Sequence, residues 1–239
     1  FIHSIPAPGS MGHSAGSSWE GAIQRAQERG ARAIFVIYGI SDNFTIWQGL
    51  GRNINTPGAF LGYEDGNVIK ELFGKGLDVR VNMEVNIDYR NELKTASIFG
   101  TLPGTSDEEI YVLAHPDGYF EAALDNASGI SVMLTLAEHF AAIPQSQRRR
   151  NIIFVGTAGH HVGSPGSRWM HDNRDTALED AVLMINCEHV SVKQTVYWGP
   201  EMRMTDIPSP RRWWVNGSNQ LIDLVLDSYQ EFGVSVWDH

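Results

Sequence analysis

The chain is poor in cysteine and in basic residues. Its single cysteine, Cys187, excludes a framework of internal disulfide bonds but leaves the cellular compartment open. Lys and Arg number 18 against 28 Asp and Glu, which gives a formal net charge of −10. Phosphate binding needs clustered basic residues, and the one cluster, 148-RRR-150, is better explained as a solvated loop before a strand. The composition therefore argues against a nucleic acid or an acidic membrane surface as a general partner.

Long apolar runs are also missing. No run approaches the roughly 20 residues that a membrane span requires, and no signal peptide is visible. The 239 residues are 42% hydrophobic, which suits one large core, or one core and a smaller module. The chain begins at Phe1 without Met and ends on the strand-like run 233-GVSVWDH-239, so we expect a processed or truncated piece that lacks some residues of a complete site.

Residues 1–85 have the pattern of a small module. An amphipathic pattern followed by a glycine predicts a short helix over 19–30, and an apolar run predicts a buried strand over 33–38. Residues 59–76 predict a strand, a turn, a helix and a glycine stop. The strict alternation of 78-DVRVNMEVNIDY-89 predicts a half-buried strand that leaves the module, with a domain boundary near residue 85.

Residues 86–239 alternate strands with helices, which predicts an α/β sheet domain. The middle strands are apolar on both faces, as in a sheet that is covered on both sides. In such a sheet, ligands bind at the carboxyl ends of the strands. The predicted strands are 95–102, 110–115, 152–157 and 181–186, and the predicted helices are 129–143, 165–173 and 217–233.

Histidines and carboxylates follow the predicted strands at this edge of the sheet. Four sequence-distant segments each supply an imidazole or a carboxylate, a mixture that suits zinc or a similar divalent ion. The alternative is a set of ordinary hydrogen-bonded polar residues at strand ends. The residues are His115 and Asp117 after the second strand, Asp125 in 125-DNASG-129, His160 and His161 after the third strand, and Glu188 and His189 after the fourth.

The segments 98-IFGTLPG-104, 114-AHPDGYFEAALDNASG-129, 153-IFVGTAGHHVGSPGSRWM-170 and 184-MINCEH-189 resemble successive motifs of the two-zinc aminopeptidases, the family that includes glutamate carboxypeptidase and the transferrin receptor. The family has a His-x-Asp pair, an Asp-Asn-Ala-Ser-Gly turn, a Glu-Glu pair and an Asn-x-Asp strand end in this order. The resemblance implies a three-layer sandwich around a mixed, mostly parallel sheet. The phrase 26-AQERGARAIFVIY-38 similarly resembles a protease-associated domain, a small α+β module.

The resemblance also implies a role for each matching residue. His115 would bind one metal, Asp117 would orient that imidazole, and Asp125 would bridge two metals. Glu188 stands where the first metal has an Asp or Glu ligand.

The family's Glu-Glu pair is replaced by His160 and His161. His161 can keep the role of a metal ligand, although the site then loses one negative charge. His160 stands in place of the carboxylate that acts as general base, and an imidazole can move protons near neutral pH. The alternatives for His160 are that it binds a metal itself or that it is a structural remnant without a role in the reaction.

The first functional hypothesis is a metal-dependent hydrolase that cleaves a peptide or other amide bond. It would use one or two zinc ions and a zinc-activated water, with His160 and His161 in place of the family's base and ligand. The alternative is an inactive peptidase-fold protein that binds or scaffolds. The family's last ligand, a distant histidine, is expected beyond the chain's end, on a missing or separate segment, and His239 is the alternative within the chain. His189 is a candidate for lining the pocket. Secretion is inferred from the family's habits, and the oligomeric state stays open.

Overall fold

The computed structural model describes residues 2–4, 18–39, 42–45, 50–51, 53–88, 90, 92–198, 201–209 and 214–234. The chain divides into two compact units, one formed by residues 1–88 and 193–239 and the other by residues 89–192. His239 and residues 235–238 of the predicted final strand lie outside the described residues. Among the helices that the structure describes, none has the length and apolarity to cross a membrane.

The amino-terminal part of the first unit is a parallel sheet with helices packed on it. Strand β1 (Ile2–Ser4) is followed by helix α1 (Ser18–Glu28), β2 (Ile34–Tyr38), β3 (Gly58–Leu61) and helix α2 (Tyr63–Gly74), and the strand order is β1-β2-β3. Ile23 of α1 is fully buried against one face of β2. Gly66 of α2 lies on the opposite face, where an added Cβ would come 2.6 Å from the Ile37 side chain. The helix and strand predicted over 19–38 are confirmed, while the assignment of this module as a protease-associated domain stays a prediction.

The strand predicted over 78–89 is wrong. Residues 77–88 form neither helix nor strand, and the apolar side chains of Val81, Val85 and Ile87 are about half exposed. An alternating pattern stabilises a strand only when a neighbouring strand takes its hydrogen bonds and another layer covers its apolar face. Within the described part of the chain, no strand pairs with this segment.

The second unit is built on a four-stranded sheet. It contains β4 (Ile98–Leu102), β5 (Glu109–Ala114), β6 (Asn151–Gly156) and β7 (Ala181–Asn186), in the order β4-β6-β5-β7. Strand β4 is antiparallel to β6, and β5 is parallel to both β6 and β7. The four predicted strands and the mixed, mostly parallel sheet are confirmed.

Helices cover both faces of this sheet. Helix α3 (Ser128–Ala142) packs through Met133 on the face that carries Val112 and Phe154. Helix α4 (Pro165–Asp172) packs through Met170 on the opposite face, beside Tyr111 and Val155. A short helix α5 (Arg174–Ala177) leads into β7. The three-layer architecture is confirmed, and the central strands β5 and β6 are buried because helices lie on both sides of them.

The carboxyl-terminal part of the first unit holds a hairpin and a helix. Strands β8 (Lys193–Trp198) and β9 (Glu201–Pro208) pair in antiparallel fashion, where no strand had been predicted. Helix α6 (Asn219–Glu231) begins after Ser218, whose hydroxyl accepts a hydrogen bond from the Leu221 N–H. It confirms the helix predicted over 217–233.

Candidate metal centre

The candidate site lies at the carboxyl ends of β5, β6 and β7. These strands are parallel, so the segments that follow them begin at the same edge of the sheet. His115 directly follows β5, and a 3₁₀ turn at His160–Val162 follows β6. Glu188 and His189 follow β7, and Asp125 lies in the irregular segment Ala123–Ala127 that leads into α3.

Asp125 is surrounded by imidazoles. Its Oδ1 atom is 3.1 Å from His115 Nε2 and 3.3 Å from His161 Nε2. Its other oxygen, Oδ2, is 3.2 Å from His189 Nε2. His115 is only 3% exposed, so this cluster lies beneath the surface of the domain.

Glu188 and His160 form the outer side of the cluster. Glu188 Oε1 is 3.9 Å from His115 Nε2 and 3.6 Å from His160 Nε2. The His160 ring stacks on the His115 ring, with centroids 4.1 Å apart and planes inclined by 17°. The His160 side chain is 40% exposed, so of the paired histidines it is the one that meets solvent.

Asp117 acts on the site mainly through the backbone. Its Oδ1 accepts a hydrogen bond from the His160 N–H at 3.0 Å, and its Oδ2 accepts one from the His161 N–H at 3.1 Å. His115 Nδ1 lies 2.9 Å from the Asp117 carbonyl oxygen and 3.6 Å from its carboxylate. Burial alone would raise the pKa of Asp117, but the hydrogen bonds from His161 and His160 outweigh it and lower that pKa. Asp117 therefore holds the paired histidines in place as an anion.

Asn126 connects the Asp125 segment to the segment after β7. The Asn126 side chain is 1% exposed; its Nδ2 donates to the Cys187 carbonyl oxygen, and its Oδ1 accepts from the N–H groups of Gly129 and His189. Gly129 passes so close to Cys187 that an added Cβ would overlap the Cys187 carbonyl oxygen. This packing sets the distance between Asp125 and Glu188.

The donor set fits a divalent cation. Three combinations of side chains have ligand atoms within 4.8 Å of one another: His115 with Asp125 and His161, His115 with His160 and Glu188, and Asp125 with Glu188 and His189. Among the residues described, the buried atoms His115 Nε2 and Asp125 Oδ1 have no hydrogen-bond partner. Buried polar atoms are normally paired, and neutral imidazole with carboxylate is a ligand set that zinc accepts.

The structure brings together the six residues to which the resemblance gives a role at the site, while the candidate His239 lies outside the described residues. His115, Asp117, Asp125, His160, His161 and Glu188 all lie in one cluster. From the sequence, His189 was counted among the polar residues at this edge of the sheet and given a place in the pocket lining; its position beside Glu188 at the same strand end was the signal for a closer role. Ligand roles for these residues remain a prediction.

A cavity of about 500 Å³ opens beside the cluster. His115, His160 and Glu188 contribute to its wall on the side of the site. Leu113, Met170, Leu178 and Met184 add apolar surface to the wall. The other lining residues are polar: Thr157, Ser164, Ser167, His171, Asn186 and the cationic Arg174. All of these residues belong to the second unit.

Fold and site together define an α/β domain with a candidate metal centre at the carboxyl edge of its sheet. Residues 97–213 match the sequence profile of peptidase family M28, which confirms the resemblance that the motifs carried. A search of curated protein sequences finds no match to the chain.

A solved structure of a peptidase shares this fold. The crystal structure of a peptidase M28 precursor from Shewanella amazonensis SB2B superposes with a TM-score of 0.60 at 20% sequence identity, and the match covers 76% of this chain and 43% of that one. An aminopeptidase from Aneurinibacillus sp. strain AM-1 gives a TM-score of 0.44 at 16% identity, with 72% of this chain and 43% of that chain covered. The chain thus spans less than half the length of either neighbour.

Proposed function

We propose that this chain carries the metal centre of a peptidase-type hydrolase that cleaves a peptide or other amide bond. One observation carries the proposal: His115 Nε2 and Asp125 Oδ1 face each other at 3.1 Å, and neither has a hydrogen-bond partner among the described residues. An unpaired buried polar group costs about 1–3 kcal/mol, and a cation between the two atoms would remove that cost. The family match supports the same class of reaction.

Zinc is the cation that the donor set suits best, with His115, Asp125, His161 and Glu188 as ligands of one or two ions. When bound, it supplies Lewis-acid activation of the substrate carbonyl and of water. Asp117 keeps the backbone of His160 and His161 in position. His160 Nε2, on the exposed side, accepts the proton that water loses as the C–O bond forms, and returns it to the amine as the C–N bond breaks.

The cavity beside His160 is the proposed substrate pocket. Its wall is mixed: Leu113, Met170, Leu178 and Met184 suit the apolar part of a substrate side chain, and the polar residues and Arg174 suit its polar groups. An extracytoplasmic location and a contribution from a separate segment of the same precursor are further parts of this proposal.

Metal content tests the proposed centre. We expect the purified chain to hold zinc in stoichiometric amount, and His115→Ala to lose it. His139→Ala is the matched control, because His139 lies exposed on α3 beside Phe140, away from the cluster. A wild-type chain that binds no divalent metal, or a His115→Ala variant that binds as much as the control, contradicts the proposal.

Turnover tests the role of His160. His160→Ala is expected to keep the metal and to lose roughly 10²–10⁴-fold in kcat on aminoacyl and acyl-amino-acid amides, the range for a general acid or base. Unchanged turnover removes this imidazole from the mechanism. The two imidazoles in place of the family's Glu-Glu pair favour the alternative of a binding protein, which a metal-loaded chain with no turnover on either substrate class would support.

A further inference from the structure

The inference concerns His189, which the sequence places at this edge of the sheet and to which the family pattern gives no role as a ligand. We propose that His189 is a ligand for a second cation, bound by Asp125 Oδ2, Glu188 and the His189 imidazole. The first cation would then lie on the Oδ1 side, with His115 and His161. The inference rests on the proposed function and states which imidazole completes the second set.

His189 faces the site with the geometry of a ligand. Its Nε2 lies 3.2 Å from Asp125 Oδ2 and 4.0 Å from Glu188 Oε1. The side chain is only 11% exposed. Both ring nitrogens are buried without a hydrogen-bond partner in the described part of the chain. A neutral imidazole always carries one N–H and one lone pair, so a buried ring with neither satisfied is costly unless something binds it.

The two oxygens of Asp125 divide the imidazoles into two groups. His115 and His161 approach Oδ1, at 3.1 and 3.3 Å. His189 approaches Oδ2, on the other side of the same carboxylate. A carboxylate can bind one cation through each oxygen, so this division favours two positions over one crowded position.

Glu188 alone does not select between these positions. Its Oε1 is 3.9 Å from His115 Nε2 and 4.0 Å from His189 Nε2. The Oδ1 position already has two imidazoles, whereas the Oδ2 position has one. Glu188 gives the second position its third protein ligand, the usual number for a catalytic zinc that keeps an open coordination position.

The backbone around His189 holds the imidazole toward Asp125. His189 has φ = +50°, a left-handed conformation that is uncommon outside glycine. Its N–H donates to Asn126 Oδ1 at 3.3 Å, and the same Asn126 side chain donates to the Cys187 carbonyl oxygen. Asn126 directly follows Asp125, so a single amide group sets both the position of the bridging carboxylate and the backbone of its third imidazole.

His189 also answers what the family pattern leaves open in this chain. The resemblance takes its last histidine ligand from far beyond the Asn-x-Asp strand end. Here an imidazole lies at the residue next to Glu188, within reach of the second position. The described chain therefore contains a ligand set for both cations without a distant histidine.

Two substitutions test the inference with little effect on the backbone. Asn and Gly both accept a positive φ, so His189→Asn and His189→Gly remove the imidazole and keep the turn. His139→Asn is the control, on the exposed side of α3. Metal-free protein is titrated with Co²⁺ alone, and bound cobalt is counted by elemental analysis and followed by its visible absorption.

We expect the wild-type chain and the His139→Asn control to bind two cobalt ions, and the two His189 variants to bind one. A His189 variant that still binds two ions overturns the inference, as does a wild-type chain that binds only one. A wild-type chain that binds no cobalt would instead overturn the proposed function, and so would a His115→Ala variant that binds as much cobalt as the wild type. The two failures are therefore distinguishable.

A measurement on the unsubstituted protein covers the case in which both His189 variants unfold. In the cobalt-loaded wild type, each ligating imidazole gives a strongly shifted exchangeable N–H resonance. Ligation by His115, His161 and His189 gives three such resonances, and one of them must be assigned to His189. A shifted set that excludes His189 overturns the inference.

Discussion

Asp117 and Asn126 hold this site through hydrogen bonds to its backbone. Asp117 is the clearest case, because its two oxygens accept the N–H groups of His160 and His161. The resemblance implied that Asp117 orients the His115 imidazole. In the structure the His115 Nδ1 contact is to the Asp117 carbonyl oxygen, and the carboxylate instead fixes the turn that carries the paired histidines.

Asp117→Asn is expected to destabilise the domain by about 1–3 kcal/mol, since the amide NH₂ group would face one of the two N–H donors. The folded-state pKa of Asp117 is lowered, so its contribution is fully present above its unfolded pKa of about 3.9 and is lost as the pH falls through the folded value. Urea unfolding should therefore show a gap between wild type and variant at pH 7 that narrows on acidification. Asp172→Asn, exposed on α4, is the control, and a pH-independent gap would contradict this role.

Gly129 is required by a close approach. An added Cβ would overlap the Cys187 carbonyl oxygen and press on the Asn126 amide. Gly129→Ala is therefore expected to cost about 1–3 kcal/mol, the usual range for overpacking, and to weaken metal binding because it moves Asn126. Gly100→Ala in β4 is the control, since a Cβ there meets nothing within 4 Å. Equal thermal midpoints for the two variants would show that the Gly129 backbone can move aside at little cost.

Helix α4 is held on the sheet by a small apolar cluster. Met170 is 4% exposed and packs with Tyr111, Ile153 and Val155. The same helix lies beside the proposed substrate pocket, to which Met170 also contributes. The packing of Met170 on the sheet therefore also holds one side of the pocket in position.

Met170→Ala is expected to destabilise the domain by about 2–5 kcal/mol, because it removes a buried side chain and leaves a cavity. Arg168→Ala, exposed on the same helix, should change the free energy of unfolding by less than about 0.5 kcal/mol. Chemical denaturation of both variants measures the difference. A Met170 variant as stable as the Arg168 variant would mean that α4 contributes little to the fold.

The helices and strands that could be predicted are those whose apolar residues lie against a neighbouring strand or helix in the structure. Strand β7 was predicted over 181–186 and forms over Ala181–Asn186, because its apolar run lies against a neighbouring strand. The alternating run 78–89 has an equally regular pattern, yet no described strand pairs with it. The hairpin of β8 and β9 was missed because polar residues interrupt the apolar residues of β9.

At the scale of the whole chain, an exposed segment, residues 77–88, ends the amino-terminal part of the first unit. Residues 77–88 form no helix or strand, and the Arg80 side chain is 87% exposed. Exposed irregular segments are preferred sites of proteolysis. The Arg150 side chain is only 33% exposed, pairs with Glu108 at 2.8 Å and directly precedes β6, whereas Arg80 pairs with Asp78 inside the irregular segment itself.

Limited trypsin digestion of the folded chain is therefore expected to cut early after Arg80 and slowly after Arg150. Mass spectrometry of the first products measures this order. Arg80→Gln should remove the early product at that position and leave the others unchanged. Cleavage after Arg150 at the rate seen after Arg80 would contradict the division of the chain near residue 88.

The sequence by itself determined the succession of strands and helices in the second unit, and the places where histidines and carboxylates follow the strands. Both depend on local apolar patterns and on the order of residues, which can be read without coordinates. Only the tertiary structure decided that Asp117 accepts the backbone of the paired histidines, that residues 77–88 form no strand, and that His189 joins Asp125. These outcomes depend on which segments lie side by side in space, and the spacing of residues along the chain does not determine which segments become neighbours.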